Sequence, residues 1–351
     1  MDAIFDGFIC KEEIDKCRRS SNGKDNPLVY WFTTDVKDSS NNFGYTKYNF
    51  ISALNAIKRT DFNWLTKNKD RLLDGNDINN AMAALAELCC YGYLVDAFGH
   101  DFVASIPTTE FPTPDFYLCN NTEEKIYIEV NAVQINGDEL NALKEFNSHR
   151  EFPKNQSIVI REHCVAPFGR KNASCITENV IHKLCQIKNN EKQFDDNLPC
   201  VLWVDLQGQH VNILHKRAFN SCPITTWNEA INSNELWYAF YGEKGMPIYE
   251  NHEPFYSFLK TPAMQHNGRF HIDSNSKVNA VIFCFPNATI IYENPNSNKP
   301  LPKWFYRKLF SIRWFNFQGS KMNFPSNNLK KQLKIDKETI YSISKVKEVL
   351  E

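Results

Sequence analysis

The strongest constraint on the fold is an apolar run, INNAMAALAELCCYGYL, that follows Asn76 and Asp77. Either of these two residues can cap the start of a helix, and Gly92 or Gly99 stands near its end. Glu87 is the only charged side chain in the run. A helix that is apolar on nearly all sides must be buried on most of them. The sequence therefore predicts a helix at the centre of a globular core.

The overall composition predicts a soluble protein of the cytoplasm. The 351 residues include 40 basic and 41 acidic side chains, a formal net charge of -1, which excludes attachment to nucleic acid by bulk charge alone. The 11 Cys form no CxxC pair, and we interpret them as reduced core residues. The N-terminal sequence is too acidic for a targeting peptide. We expect no membrane span, because no run approaches the roughly 18 apolar residues that a span needs.

Short strands and a second helix are predicted after the apolar helix. The strand patterns cover residues 102–106, 115–118 and 125–133, the helix pattern covers 176–192, and a wholly apolar strand covers 199–206. The order of helix, three strands, helix and strand predicts an α/β or α+β core with a central mixed sheet flanked by helices, and we favour the α/β class.

Two carboxylates on neighbouring strands form the candidate site. Asp115 opens a strand directly after Pro114, and Glu129 lies within the next strand, on the same face as Asn131. Carboxylates that are held together repel each other unless a cation lies between them, and Mg²⁺ prefers such oxygen ligands. Glu87 is a candidate third ligand. The pattern predicts a divalent-metal site suited to phosphodiester hydrolysis.

These residues resemble the PD-(D/E)xK signature of the restriction-endonuclease-like nucleases. The PD dipeptide ends at Asp115, and the tripeptide from Glu129 to Asn131 follows it. The element order is similar to the αβββαβ core of that family, and the resemblance covers about residues 77–206. The departure is Asn131, which stands where the family has Lys.

The resemblance implies that another Lys replaces the missing one. In the family this Lys positions or activates the attacking water, and in some members it has migrated to the helix after the motif strand. Lys183 or Lys188 of the 176–192 helix is the candidate here. We favour Lys183, because its apolar neighbours would pack that helix on the sheet. The implied catalytic residues are Asp115, Glu129, Asn131 and Lys183, and the implied metal ligands are Asp115, Glu129 and Glu87.

The resemblance also implies a function and partners. It implies an endonuclease that uses one or two Mg²⁺ ions to hydrolyse DNA, as a sequence-specific type II restriction or defence enzyme. Its expected partners are double-stranded DNA, a second copy of the chain in a homodimer, and a cognate DNA methyltransferase of the same system. Two alternatives stay open: a catalytically inactive DNA-binding or interaction protein that keeps the nuclease fold, and an enzyme that acts on RNA. A lysine beside the carboxylates would distinguish the nuclease from the inactive protein.

The rest of the chain is interpreted as additions to this core. The last 51 residues contain 11 Lys and Arg against 4 Asp and Glu, interleaved with aromatic residues. Most of these aromatic residues are expected in the core, while the basic side chains suit contacts with phosphates. The expected division is an N-terminal elaboration of helices and loops (1–75), the nuclease core (76–206), an extension with a hairpin and candidate target recognition (207–300), and the basic aromatic segment (301–351).

Overall fold

A computed structural model describes residues 3–4, 7–33, 47–107, 109–133, 176–194, 197–208, 223–227, 230–250, 262–286 and 288–309. The α-helices in these ranges are α1 (Lys11–Arg18), α2 (Pro27–Thr33), α3 (Lys47–Thr60), α4 (Phe62–Leu72), α5 (Ile78–Phe98), α6 (Ile176–Gln186), α7 (Glu235–Tyr241) and α8 (Lys303–Leu309). The strands are β1 (Ala3–Ile4), β2 (Ile9–Cys10), β3 (Val103–Ser105), β4 (Phe116–Cys119), β5 (Lys125–Ala132), β6 (Cys200–Asp205), β7 (Ile224–Trp227), β8 (Ala230–Ser233), β9 (Val278–Phe285) and β10 (Ala288–Glu293).

A six-stranded mixed sheet forms the centre of the fold, in the order β10-β9-β6-β5-β4-β3. Strand β6 runs parallel to both β5 and β9, and the other neighbouring strands pair antiparallel. The chain order α5, β3, β4, β5, α6, β6 is the predicted order of helix, three strands, helix and strand. The α/β class with a mixed sheet flanked by helices is confirmed, and so is the predicted hairpin, formed by β9 and β10.

Helix α5 has the predicted caps. The Asp77 side chain accepts hydrogen bonds from the backbone N–H groups of Asn79 and Asn80, at 3.0 and 3.2 Å. The helix ends at Gly99, whose φ of 96° favours glycine. Helices α3 and α4 pack against α5, which agrees with the expectation that the N-terminal region covers another element.

The apolar character of α5 corrects the expectation that no run of the sequence is long and apolar enough to span a membrane. By length and composition this helix passes the test for a membrane span, so the sequence does contain one candidate. Yet 83% of its most apolar stretch of 18 residues is buried inside the protein. Such burial is typical of the core helix of a soluble protein.

Strand β5 separates two hydrophobic cores, as its alternating pattern predicts. Ile126, Ile128 and Val130 lie in the core that contains α5, while Tyr127 packs against the core that contains α6 and α7. All residues of β6 are buried, as expected for a strand covered on both faces. By this alternation Glu129 lies on the same face of β5 as Tyr127.

The predicted helix 176–192 is wrong in its length. Helix α6 ends at Gln186, and a turn follows. Within this turn Lys188 and Glu191 have φ values of 52° and 48°, which a right-handed helix does not allow. Lys188 therefore lies in the turn after the helix, while Lys183 lies on the helix itself.

Part of the predicted organisation lies outside the described residues. This applies to most of the basic aromatic segment, because the described part of the chain stops at residue 309. Helix α8 retains the first residues of that segment: Phe305, Tyr306 and Leu309 are buried, whereas Arg307 and Lys308 are exposed. In this short stretch the aromatic residues belong to the core and the basic ones to the surface, as expected.

Candidate active site

The pairing of β4 and β5 brings the two predicted carboxylates together. Phe116 is opposite Ile128, so Asp115, directly before β4, stands opposite Glu129. The Asp115 backbone N–H donates to the Ile128 carbonyl at 3.1 Å, which extends the ladder to this residue. Asp115 Oδ2 accepts a hydrogen bond of 2.7 Å from the Val130 backbone N–H. The strand backbone thus fixes the Asp115 carboxylate.

Glu129 is buried and is held by two side chains from the turn after α6. Lys188 Nζ lies 2.6 Å from Glu129 Oε1, and Gln193 Nε2 donates to the same oxygen at 3.3 Å. Glu129 Oε2 is also buried and has no hydrogen-bond partner within the described ranges. A buried carboxylate oxygen without a partner is costly, so this atom is suited to a ligand.

Glu87 meets Arg71 through a bidentate ion pair between α5 and α4. The two N–H···O distances are 2.7 and 2.8 Å. Asn68 and Asn80 also accept hydrogen bonds from the Arg71 guanidinium, at 2.8 and 3.2 Å. Bidentate pairing of this kind fixes both partners. Glu87, predicted as a third metal ligand, therefore has both oxygens engaged by arginine.

The charged groups line one open cavity of about 830 Å³. Asp115, Glu129, Glu87, Arg71 and Lys188 all contribute to its surface. Other parts of its wall come from α4 and from the proline-rich segment before Asp115. The volume lies within the range of ligand-binding cavities.

The proximity of the acids shifts their proton affinities. Burial, followed by the charges of Glu129 and Glu87, raises the pKa of Asp115 to about 8. Burial also raises the pKa of Glu129, although Lys188 opposes this shift. Burial alone would lower the pKa of Lys188, but its hydrogen bond to Glu129 and the nearby acids raise it. Lys188 is thus charged, and a cation placed between the two acids would relieve their repulsion.

Two of the predicted catalytic residues are not brought to this cavity. Lys183 is exposed and lines a separate cavity of about 330 Å³ with His182 and His266. Asn131 does not line this cavity, and its Nδ2 donates to the Ala132 carbonyl. The sequence favours Lys183 as the lysine beside the acids, whereas in the structure Lys188, in the turn after α6, is the one of the two that contacts Glu129.

Two residues of the cluster, Arg71 and Gln193, were not predicted from the sequence. Arg71 lies in α4, whose packing on α5 is a tertiary contact without a local pattern. Gln193 reaches Glu129 through the turn that ends α6. The sequence gives only one indication of this role, namely that Gln193 lies close to Lys188 in the chain. The predicted helix is too long to show that both residues lie in a turn.

Asp115 and Glu129 fit a magnesium site with few protein ligands. Within the part of the chain that the structure describes, no group of three or more His, Cys, Asp or Glu side chains is arranged to hold a metal ion. Magnesium, however, is usually bound by one or two carboxylates together with waters and substrate phosphates. The raised pKa of Asp115 and the unpaired Oε2 of Glu129 are the features that such an ion would satisfy.

Neither family models, nor curated proteins, nor solved structures match this chain. The functional assignment therefore depends on the geometry of the site.

Proposed function

We propose that the protein is a Mg²⁺-dependent nuclease that hydrolyses DNA phosphodiester bonds. One observation carries the proposal. Lys188 Nζ lies 2.6 Å from Glu129 Oε1, Glu129 stands opposite Asp115, and all three residues line one open cavity. Two acids and a lysine are the groups that this reaction needs, and the strand pairing holds the acids in place.

Each residue has a distinct role in this proposal. Asp115 and Glu129 would hold the ion, which when bound activates water and offsets charge on the phosphate. Lys188 lies beside Glu129, where its ammonium group can orient the attacking water and stabilise the negative charge that develops on the phosphate. Gln193 keeps the Glu129 carboxylate in position. Arg71 balances the charge of Glu87 in the same cavity.

The element order supports a restriction-endonuclease-like core. Strands β5 and β6 pair parallel, α6 lies between them in the chain, and Lys188 in the turn after α6 contacts Glu129 of β5. On this basis we propose a cytoplasmic restriction or defence enzyme. Its proposed partners are double-stranded DNA, a second copy of the chain, and a cognate methyltransferase.

The lysine beside the acids weighs against the inactive alternative. The nuclease requires a lysine beside the two acids, whereas the inactive alternative does not. Lys188 is this lysine, although Asn131 occupies the motif position.

The test is cleavage of supercoiled plasmid DNA by the purified chain, with Mg²⁺ or with EDTA. We expect cleavage only with Mg²⁺, and loss of cleavage in Asp115→Asn and Glu129→Gln, which preserve side-chain size. Asp101→Asn is the matched control, because Asp101 is 76% exposed and lies outside the cavity. Intact DNA under every condition, or undiminished cleavage by both site variants, would reject the proposal.

A further inference from the structure

Phe111 is the most exposed large apolar side chain among the described residues. It is 77% exposed, whereas Phe62 is 53% exposed. A single exposed apolar residue is common on protein surfaces. Phe111, however, lines the cavity that contains Asp115 and Glu129, and Phe62 does not. The aromatic ring therefore lies where a bound substrate would pass.

The segment that carries Phe111 is rigid by composition and by hydrogen bonding. Pro107, Pro112 and Pro114 restrict its backbone. The Phe111 N–H donates to Thr109 Oγ1 at 3.2 Å, and this hydroxyl donates to the Phe111 carbonyl at 2.8 Å. A backbone that is already held in place loses little conformational entropy on binding.

The elements that line the cavity differ in charge. Helix α4 contributes Lys67, which attracts phosphates, and Arg71, whose charge is paired with Glu87. The segment with Phe111 contributes Glu110 and the prolines, which do not attract phosphates. These charges favour a nucleic-acid strand whose phosphate backbone runs along α4 and whose bases face Phe111.

The cavity has room for more than a phosphate and an ion. Its volume of about 830 Å³ lies in the upper part of the range for sites that enclose a whole small molecule. A nucleotide with its base can occupy this space beside the two acids.

We propose that Phe111 stacks on an unpaired base of the DNA strand, next to the phosphate that is cleaved. The inference rests on the proposed nuclease function and narrows its double-stranded substrate to DNA with an unpaired nucleotide at the cleavage site, either mismatched or flipped out of the duplex. In a closed duplex the neighbouring bases cover the faces of each base, so a ring cannot stack there without unstacking the duplex. Aromatic stacking accepts every base, so this contact selects for an unpaired base and not for a sequence.

The test measures DNA binding without cleavage. The full chain with Asp115→Asn is titrated, in Mg²⁺, into three probes that share one sequence: a single strand, a closed duplex, and a duplex with one unpaired 2-aminopurine. We expect tighter binding to the single strand and to the unpaired nucleotide than to the closed duplex. We also expect the fluorescence of 2-aminopurine to change on binding, because the base exchanges stacking on its neighbours for stacking on the ring.

The aromatic ring is tested by paired variants in the same background. Phe111→Ala should weaken binding of the two unpaired probes by about tenfold or more, the loss of one stacking contact, and should abolish the change in fluorescence. Phe111→Trp should retain both, and Phe62→Ala is the control for an exposed phenylalanine outside the cavity. The inference would be overturned by equal affinities for Phe111→Ala and its parent, by a preference for the closed duplex, or by no binding of any probe.

Plasmid cleavage by the unmodified chain separates this inference from the nuclease proposal. Cleavage that needs Mg²⁺, together with binding that does not depend on Phe111, would refute only the stacking contact. Binding that depends on Phe111, without any cleavage, would refute the nuclease and retain the contact with the base.

Discussion

Lys188 reaches Glu129 because the chain leaves helix α6 two residues earlier. Its backbone adopts a left-handed conformation, with a φ of 52°, and its Nζ lies 2.6 Å from Glu129 Oε1. Lys183, which remains on the helix, is exposed and lines a different cavity. The end of the helix thus decides which lysine contacts Glu129.

Replacement of Lys188 should remove activity without loss of the fold. Lys188→Asn is the preferred variant, because Asn tolerates a left-handed backbone better than Ala does. We expect the rate of DNA cleavage to fall by about 100-fold or more, the effect of removing a positioned proton-transfer or charge-stabilising group. Lys183→Ala is the matched control. A larger loss in Lys183→Ala than in Lys188→Asn would show that the assigned lysine is wrong.

The raised pKa of Asp115 predicts that stability of the metal-free protein depends on pH. Its pKa is about 8 in the folded protein and about 4 in an unfolded chain. Between these values the folded protein holds a proton that the unfolded chain lacks. The free energy of unfolding should therefore fall as pH rises through this range, on the order of 1 kcal/mol per pH unit, and level off above pH 8. The raised pKa of Glu129 acts in the same direction.

The measurement for this pH dependence is urea denaturation in EDTA at several pH values from 5 to 9. Asp115→Asn should give a flatter dependence than the parent, because the amide does not ionise. Asp101→Asn should follow the parent curve. A parent protein that gains stability over this range would contradict the assigned burial and repulsion of Asp115.

The ion pair between Arg71 and Glu87 should matter more for stability than for the chemistry. Arg71→Met leaves Glu87 without its cation, near Asp115 and Glu129. We expect the free energy of unfolding to fall by about 1–3 kcal/mol. This is at or below the usual loss for a broken buried ion pair, because solvent screens the Arg71 side chain, which is 35% exposed. The double variant Arg71→Met, Glu87→Gln should recover part of that loss. Equal stability of Arg71→Met and its parent in urea denaturation would show that the pair contributes nothing measurable.

The parts of the fold that could be predicted are those whose signals are local. Helix α5 has a capping Asp77 and a terminal Gly99, and β5 alternates between two cores, so both follow from short stretches of sequence. The same alternation, with the short connection between β4 and β5, brings Asp115 opposite Glu129.

The contacts that could not be predicted depend on tertiary structure or on one backbone angle. Lys has no strong preference for a left-handed conformation, so the end of α6 before Lys188 leaves little trace in the sequence. The pairing of Arg71 with Glu87 arises only when α4 packs on α5. Asn131 resembles the motif lysine in position, but its side chain bonds to a neighbouring carbonyl.

The close contact between α3 and α5 predicts that replacing Gly92 by Ala destabilises the protein. This is opposite to the usual effect of a Gly to Ala substitution in a helix. In a helix interior, Gly to Ala normally stabilises by about 1 kcal/mol. At Gly92, however, a Cβ would lie well inside van der Waals contact with Cα and Cβ of Ala53. Gly92→Ala should therefore force the two helices apart and lower the free energy of unfolding by about 1–3 kcal/mol.

Urea denaturation of the single and double variants tests this close approach of the helices. Adding Ala53→Gly to Gly92→Ala should restore part of the stability, because it removes one of the two overlapping methyl groups, whereas Ala53→Gly alone should destabilise. A Gly92→Ala protein at least as stable as its parent would mean that α3 and α5 lie further apart. Because α5 also carries Glu87, a shift of this helix should change the pairing with Arg71, so Gly92→Ala and Arg71→Met should not be additive.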